Sequence, residues 1–473
     1  MDCSAGRTDG GTTGSHAHAD TFIDRSSHFA LTSLANSRAR EFRYAEMNQA
    51  QPSLLEDPSI GKLSGVLSFK DDIRQLAWNG QPTEVKTTEV DHDGNTVRVE
   101  TFTNEFWTSK QRAGHSLHEI SYRACFKPQL VDFFVQRLTD PGDLVYDPFM
   151  GRGTTVVEAA LLDRAVAGCD VNPLSRVLTK PRLAPPTLTQ VSERLHALDL
   201  TFGDDYREDL TVFFHPETLR TICALRSYLR KRQTAGEMDG VDEWIEMVAV
   251  NRLTGHSRGF FSVYTLPPNQ AVSIDSQRKI NARREQTPAV RDVVQLIIKK
   301  SKSLLRDCGD ATRQRLGAHA PGAQLLVRAS SSTPELRSAS VDLVVTSPPF
   351  LDVVDYATDN WLRCWFCGIE ADSVPITMAR KLDAWRSAMT EVFGELRRVL
   401  VPGGHVAFEV GEVRGGKIKL EESVIPCGKS VGLEPLAVVI NAQRFTKTAN
   451  CWGISNNRKG TNTNRIVLFR NPE

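Results

Sequence analysis

The stretch Val341-Asp-Leu-Val-Val-Thr-Ser-Pro-Pro-Phe350 sets the tightest limit on what this chain folds into. Its apolar, β-branched first half predicts a buried strand. Two successive prolines end it. Neither donates an amide proton to a ladder, and both hold the backbone stiff just past the sheet edge. The carbonyls of such a turn point where the rings aim them. Ser347 adds a hydroxyl and Phe350 a flat apolar face, so Ser347, Pro348, Pro349 and Phe350 make a candidate catalytic cup. Acceptors in one plane beside a ring suit an exocyclic amino group on a nucleobase. Read alone, the same residues also describe a strand, a turn and a core phenylalanine.

A second stretch bears on that choice. Leu144-Val-Tyr-Asp147 reads as a short buried strand, Pro148-Phe-Met-Gly-Arg-Gly-Thr-Thr155 as a glycine-rich turn, and Val156-Val-Glu-Ala-Ala-Leu-Leu162 as a helix. Strand, glycine turn and helix form the first unit of a doubly wound α/β fold. Gly151 and Gly153 permit close approach of backbone N–H groups to a ligand, and the helix N-terminus favours negative charge. Ala165-Val-Ala-Gly-Cys-Asp170 predicts the next strand, with Asp170 at its tip, where an acid binds ribose hydroxyls. A glycine turn that packs helix on strand without a ligand fits the same letters. The phosphate-loop lysine is missing, and Val156 stands where the dinucleotide fingerprint wants a third glycine, so a nucleoside without a pyrophosphate suits the turn better.

In combination, Asp147-Pro-Phe-Met-Gly-Arg-Gly-Thr-Thr155, Gly168-Cys-Asp-Val-Asn-Pro173 and Thr346-Ser-Pro-Pro-Phe350 resemble the amino-methyltransferases of DNA. That family methylates N4 of cytosine or N6 of adenine with S-adenosylmethionine. The resemblance covers roughly residues 118–183 and 324–470. It implies a doubly wound, mostly parallel, seven-stranded Rossmann-like sheet with a largely helical insertion. It implies S-adenosylmethionine as cofactor and double-stranded DNA as partner, with a cognate restriction endonuclease of the same site where the enzyme serves a restriction-modification system. By resemblance, Asp147, Pro148, Phe149, Gly151, Gly153, Thr154 and Thr155 lie around the methionine part of the cofactor. Asp170 holds its ribose with Asn172 beside it, and Lys127 belongs to a segment closing over the methionine end. Ser347 and the Pro348 carbonyl receive the target amine, with Phe350 stacked on the base. Serine in first place resembles the N4-cytosine type; the adenine type commonly carries Asp or Asn there. Two features depart from the pattern. In the common N4-cytosine arrangement Ser-Pro-Pro precedes the cofactor glycines, whereas here it follows them. Arg328-Ala-Ser-Ser331 also lacks the acid that many relatives carry.

The remainder of the 473 residues divides around these motifs. Residues 1–55, rich in Gly, Ser, Thr, Ala and His, read as a mobile tail. Residues 56–117 form an extension with a β-hairpin across Asp91-His-Asp-Gly94. Residues 118–183 are the cofactor-binding half, 184–321 an inserted target-recognition region, and 322–473 the catalytic half, whose last strand, Arg465–Arg470, is expected antiparallel at a sheet edge. Helix spacing appears at Lys127–Leu138, Thr218–Leu229, Val241–Leu253 and Asp383–Leu400. Formal net charge is +1, so a nucleic-acid surface has to be local. From Asp275 to Arg306 nine basic residues face three acids, and Val290, Val293, Val294, Ile297, Ile298 and Leu304 share one helical face. Arg278, Lys279, Arg283 and Arg284 are candidate phosphate contacts, although a solvated basic face reads the same way. Phe260 and Phe261, in the aromatic loop Gly255–Gln270, are candidates to stack or wedge against nucleic acid; a loop folded onto the core by its own aromatics is the alternative. Nine scattered cysteines with one close pair, Cys364 and Cys367, predict buried free thiols and no metal site. No apolar run is long enough to span a membrane, and the N-terminus lacks a signal-peptide core, so a cytosolic protein is expected.

Overall fold

The computed structural model describes residues 66–107, 114–122, 125–201, 206–265, 271–349, 356–371, 374, 381–410, 412–413, 418–442 and 463–472. The expected tail and Phe350 lie outside the described residues.

Nine strands form one sheet: β1 (Glu84–His92), β2 (Asn95–Asn104), β3 (Leu144–Asp147), β4 (Ala165–Asp170), β5 (Gln324–Val327), β6 (Val341–Thr346), β7 (Leu400–Val410), β8 (Glu434–Ala442) and β9 (Thr463–Arg470). Their spatial order is β1-β2-β8-β9-β7-β6-β3-β4-β5. The block β7-β6-β3-β4-β5 is parallel throughout. Only β9, between β7 and β8, and β1 run against the rest. Strands buried on both faces read as near-continuous apolar runs, and β6 is buried at every position except Asp342.

Thirteen described α-helices accompany the sheet: α1 (Val66–Gln75), α2 (Pro128–Leu138), α3 (Thr154–Leu161), α4 (Leu174–Leu183), α5 (Leu188–Ala197), α6 (Pro216–Ala235), α7 (Gly240–Val250), α8 (Ile274–Arg284), α9 (Val293–Leu304), α10 (Asp310–His319), α11 (Tyr356–Cys367), α12 (Leu382–Val399) and α13 (Leu420–Ser430). Pro128 opens α2 at the position where its missing N–H costs nothing. Strand side chains alternate between two cores. Val145, Leu343 and Val345 join Phe133, Phe134 and Val156 on one face. Tyr146, Val344 and Phe408 join Trp385, Phe393 and Val424 on the other. Helices therefore cover both faces, the doubly wound α/β arrangement. Among the described residues no helix is long and apolar enough to cross a membrane.

Three expectations change. The sheet has nine strands instead of seven, because the N-terminal hairpin is part of it: β2 lies parallel to β8, with Phe102 opposite Val439. The last strand is antiparallel but interior, since β8 and the hairpin continue the sheet beyond it. Val290 precedes α9 and is exposed, outside the apolar face it was grouped with.

The hairpin is anchored by one side chain. Asn441, fully buried in β8, accepts the amides of Phe106 at 2.7 Å and Trp107 at 3.3 Å, and returns a bond to the Trp107 carbonyl at 3.2 Å. Those backbone groups leave β2 without ladder partners, and buried polar groups need one. Asn441→Ala is expected to destabilise the fold by about 2–4 kcal/mol, since each orphaned group costs roughly 1–3 kcal/mol. The measurement is the urea midpoint at unchanged m-value; a loss below about 0.5 kcal/mol, the scale of a surface substitution, would remove the anchor.

Candidate active site at the switch point of the sheet

Chain order reverses between β3 and β6, which lie side by side; α3 and α11, the helices next in the chain after each, join one core, and α12 joins the core on the other face. Ligands of such sheets bind in the crevice beyond the carboxyl ends of the strands at this point. The two turns picked out in the sequence, Pro148–Thr154 after β3 and Ser347–Pro349 after β6, therefore come to the same crevice. Two side-chain bonds fix their separation: Thr346 Oγ1 donates to Asp147 Oδ1 at 2.6 Å, and Thr155 Oγ1 donates to the Val345 carbonyl at 2.9 Å.

A cavity of about 340 Å³ opens there, within the usual range of small-molecule pockets. Of the predicted cofactor residues, Phe149, Gly151, Thr154, Asp170 and Asn172 line it. Asp170 Oδ2 accepts the Gly151 amide at 2.8 Å and Oδ1 the Asn172 amide at 2.9 Å. Burial raises its carboxyl, and these two donors oppose the shift. Gly151 has φ +51, which suits glycine, and faces the Tyr122 ring. Lys127, Asp147, Pro148, Gly153 and Thr155 lie outside the lining. Asp147 is buried; desolvation pushes it up to about 7 against the Thr346 and Phe149 bonds. The Pro148 carbonyl accepts the Ser330 hydroxyl. Gly153 has φ +74, and a Cβ there would lie 2.2 Å from Thr179 Oγ1, so this glycine serves close packing of α3 on α4.

From the catalytic set, Ser347 and Pro349 line the same cavity, Pro348 is buried behind it, and Phe350 is outside the described residues. Several contributors were not singled out in the sequence. Arg152, buried, donates to the carbonyls of Ile120 at 2.9 Å, His118 at 3.2 Å and Phe126 at 3.4 Å. It thereby staples the loop that carries Tyr122, Cys125 and Phe126 over one end of the cavity. Trp385 on α12, also in the lining and buried, donates from Nε1 to the Pro349 carbonyl at 3.0 Å. Glu409 lies buried near the end of β7, the strand beside β6. Burial raises its carboxyl, while the Ser347 hydroxyl and the Asn464 amide, the latter at 2.7 Å, favour the charged form as donors. An acid in the apolar run His405–Val410 was the available signal.

The residues fit a nucleoside-bearing cofactor. The lining joins an acid at a strand tip to apolar walls from Phe149, Met150 and Val171. It also holds an unspent donor: Asn172 Oδ1 caps α4 through the Leu174 amide at 3.0 Å, whereas the buried Nδ2 has no partner. Buried donors of this kind are normally satisfied.

The predicted nucleic-acid residues separate. Arg278, Lys279, Arg283 and Arg284 are exposed on α8, and the segment before α8 is pinned to α11 by Ala271 N to Asp359 O at 2.9 Å and Trp361 Nε1 to Val272 O at 3.2 Å. Phe260 and Phe261 are buried, at 6% and 1% exposure, and are corrected: neither ring reaches the surface to stack on a base. Of the seven described cysteines, six are buried and Cys125 is partly exposed, all seven free, and no cluster of three or more metal-ligating side chains occurs among the described residues.

The DNA methylase family model of N6 and N4 methyltransferases matches residues 64–175. The type II methyltransferase M.BsoBI of Geobacillus stearothermophilus is 21% identical over 313 residues, covering 58% of this chain and 57% of that protein. M.MjaII of Methanocaldococcus jannaschii is 36% identical over 77 residues, 16% of this chain and 14% of the relative. M.MvaI of Kocuria varians is 30% identical over 111 residues, 23% of each. The chain thus spans 57% or less of the length of these relatives.

Trp385→Phe keeps a ring in the wall and removes the N–H that holds the Pro349 carbonyl. Deuterium uptake at the amides of residues 343–347 is expected to rise, with global stability reduced by only about 0.5–1.5 kcal/mol, the net worth of one hydrogen bond. Unchanged uptake would show that the proline turn is rigid without the tryptophan.

Proposed function

We propose, taking the chain as a member of the DNA amino-methyltransferase family, that it methylates an exocyclic amine in duplex DNA with S-adenosylmethionine, and that the amine is N4 of cytosine. The observation that carries this reading is one cavity lined both by Asp170 with the glycine turn and by Ser347 with Pro349. The kinship to type II methyltransferases supports a role in restriction and modification, with a cognate endonuclease as the further partner. Serine at the head of Ser347-Pro-Pro supports cytosine over adenine.

The cofactor, when bound, supplies a methyl group on a positively charged sulfur. Asp170 accepts hydrogen bonds from the ribose hydroxyls, and Asn172 Nδ2 gains the acceptor it lacks. Tyr122, Cys125 and Phe126 close over the methionine end and keep water from it. Duplex DNA offers a base amine only when the base is turned out of the stack. The amine is a weak nucleophile because its lone pair is delocalised into the ring. Acceptors that bind its two hydrogens favour a pyramidal nitrogen and free the lone pair. Ser347 Oγ and the Pro348 carbonyl serve as those acceptors, since the Pro349 carbonyl is engaged by Trp385. As the nitrogen gains a carbon it gives up one proton. Ser347 receives it and passes its own to Glu409, whose burial-raised carboxyl is a better base than an exposed glutamate.

Glu409 therefore has to be ionised for turnover. Activity is expected to fall with acid through an apparent pKa above the ordinary glutamate value, and Glu409→Gln to lower kcat by about 10²-fold, the lower range for a general base, and to abolish that acid limb. A glutamine variant with the wild-type pH profile would remove Glu409 from the proton path.

Nucleoside mass spectrometry on DNA from cells expressing the chain, beside Ser347→Ala, tests the reading as a whole. N4-methylcytosine that disappears with Ser347→Ala is the expected result. N6-methyladenine would keep the site and overturn the base; a methylated RNA nucleoside with unmodified DNA would overturn the substrate.

A further inference from the structure

We propose that Arg252 and Lys300 form the seat for one backbone phosphate of the target DNA strand, beside the mouth of the catalytic cavity. The inference rests on the reading of the chain as a DNA methyltransferase.

Arg252 follows α7 and is half-buried. Its guanidinium carbon lies over the Phe260 ring, 4.1 Å from the centroid. Gly255 makes that possible, because a Cβ there would sit 2.3 Å from the Phe260 ring. The polar contacts of Arg252 are two backbone carbonyls, Asn251 at 2.8 Å and Gly259 at 3.4 Å. Lys300 on α9 is also half-buried and donates to the Glu119 carbonyl at 2.6 Å. Among the described residues no carboxylate pairs with either cation. Glu119, whose carbonyl Lys300 holds, has its carboxylate engaged by Ser303 at 3.1 Å and Arg306 at 3.0 Å. The two cations repel: the Lys300 ammonium is pushed down to about 8 by desolvation and by Arg252, with Glu119 opposing. Arg252 is likewise held down, to about 10, by desolvation and by Arg363.

Arg252, next to the Asn251 that holds Ser121, and Lys300, which holds Glu119, thus bring two partly desolvated cations to one short segment with no carboxylate paired to either among the described residues, which is unfavourable in the free protein. A phosphodiester entering between them removes the repulsion and gains charge-assisted hydrogen bonds. Position selects a phosphate of the reacting strand. Asn251, next to Arg252, accepts the Ser121 amide at 2.9 Å, Arg363 donates to the Ser121 carbonyl at 3.2 Å, and Lys300 holds Glu119. All three grip the loop whose next residue, Tyr122, lines the cavity. The tip His256-Ser-Arg258, between Arg252 and Phe260 in the chain, is exposed and adds a cation to this segment. The aromatic ring that does not reach a base serves here as the plate that orients an arginine.

The test is binding of a fluorescent duplex by the full chain across a potassium chloride series, for wild type, Arg252→Gln, Lys300→Gln and Arg252→Lys. Each glutamine variant is expected to bind about tenfold more weakly at physiological salt and to lower the slope of log K against log salt by about one, the value for one lost phosphate contact. Arg252→Lys keeps most of the slope. S-adenosylhomocysteine affinity stays within twofold for Arg252→Gln and Arg252→Lys, which a merely structural role would not allow. A wild type that binds duplex while both glutamine variants keep its slope overturns the seat alone. A wild type that binds structured RNA but not duplex, with the slope still falling on Arg252→Gln, overturns the DNA strand named in the proposal and the substrate reading together. Loss of S-adenosylhomocysteine binding in Lys300→Gln as well as Arg252→Gln overturns the seat in favour of a support for the Ser121–Tyr122 loop.

Discussion

The hydrogen bond from Thr346 to Asp147 holds together two halves of a site that are separated in sequence by the whole insertion. Strands β3 and β6 end side by side, and the chain continues from each into a different turn. Nothing in the backbone ladder beyond those ends fixes the two turns relative to each other. A buried carboxyl does, at some cost: desolvation pushes Asp147 up to about 7. The Phe149 amide at 3.0 Å spends a second lone pair inside the glycine turn. One side chain thus shapes the glycine turn and ties it to the proline turn. The Thr155 bond to Val345 repeats the tie one step deeper. With that floor fixed, Arg152 and Trp385 act from the sides, one on the covering loop and one on the proline turn.

The insertion packs onto the helix that follows the proline turn. Arg226 on α6 donates to the Trp365 carbonyl of α11 at 2.9 Å, and Arg230 donates to the Cys367 carbonyl and to Glu246 of α7. These bonds cap the C-terminal end of α11, where arginine also answers the helix dipole. The N-terminal half of α11 is held by the segment that leads into α8. A ligand on the insertion therefore bears on α11 from both ends, and α11 begins just after the proline turn.

What could be read from the sequence followed the range over which its causes act. The strand, glycine turn and helix around Asp147–Thr155 depend on local periodicity and backbone freedom, and so does the stop at Pro348-Pro349. The hairpin was legible as a hairpin, yet its place was not, because pairing of Phe102 with Val439 is decided by residues more than half the chain away. Trp385 looks like one apolar position of an amphipathic helix; only the approach of Pro349 gives its N–H a use. Phe260 and Phe261 show the opposite failure. A glycine-rich aromatic loop suggests exposed rings, but glycine also lets a ring lie against bare backbone, and at Gly255 it does. Gly153 was read as making room for a ligand, whereas the room is taken by Thr179.

With a formal net charge of +1, the chain has little long-range field to draw a polyanion, so local pairing decides which cations remain available. Many are already committed. Arg194 and Arg232 share Asp242, Arg398 is held by Glu395, and Arg465 by Glu421. Even on α8, Arg278 pairs with Asp275 one turn away. Arg284 instead lies 3.8 Å from the Tyr264 ring centroid, half a stack with its other face open. A guanidinium on a ring keeps its donors for ligands in its own plane, and it is held in one orientation without an acid to neutralise it. The same construction recurs at Arg252 on Phe260. In a nearly neutral protein, placing arginine over aromatic rings orients positive charge without spending it on a carboxylate, as at Arg252 and Arg284.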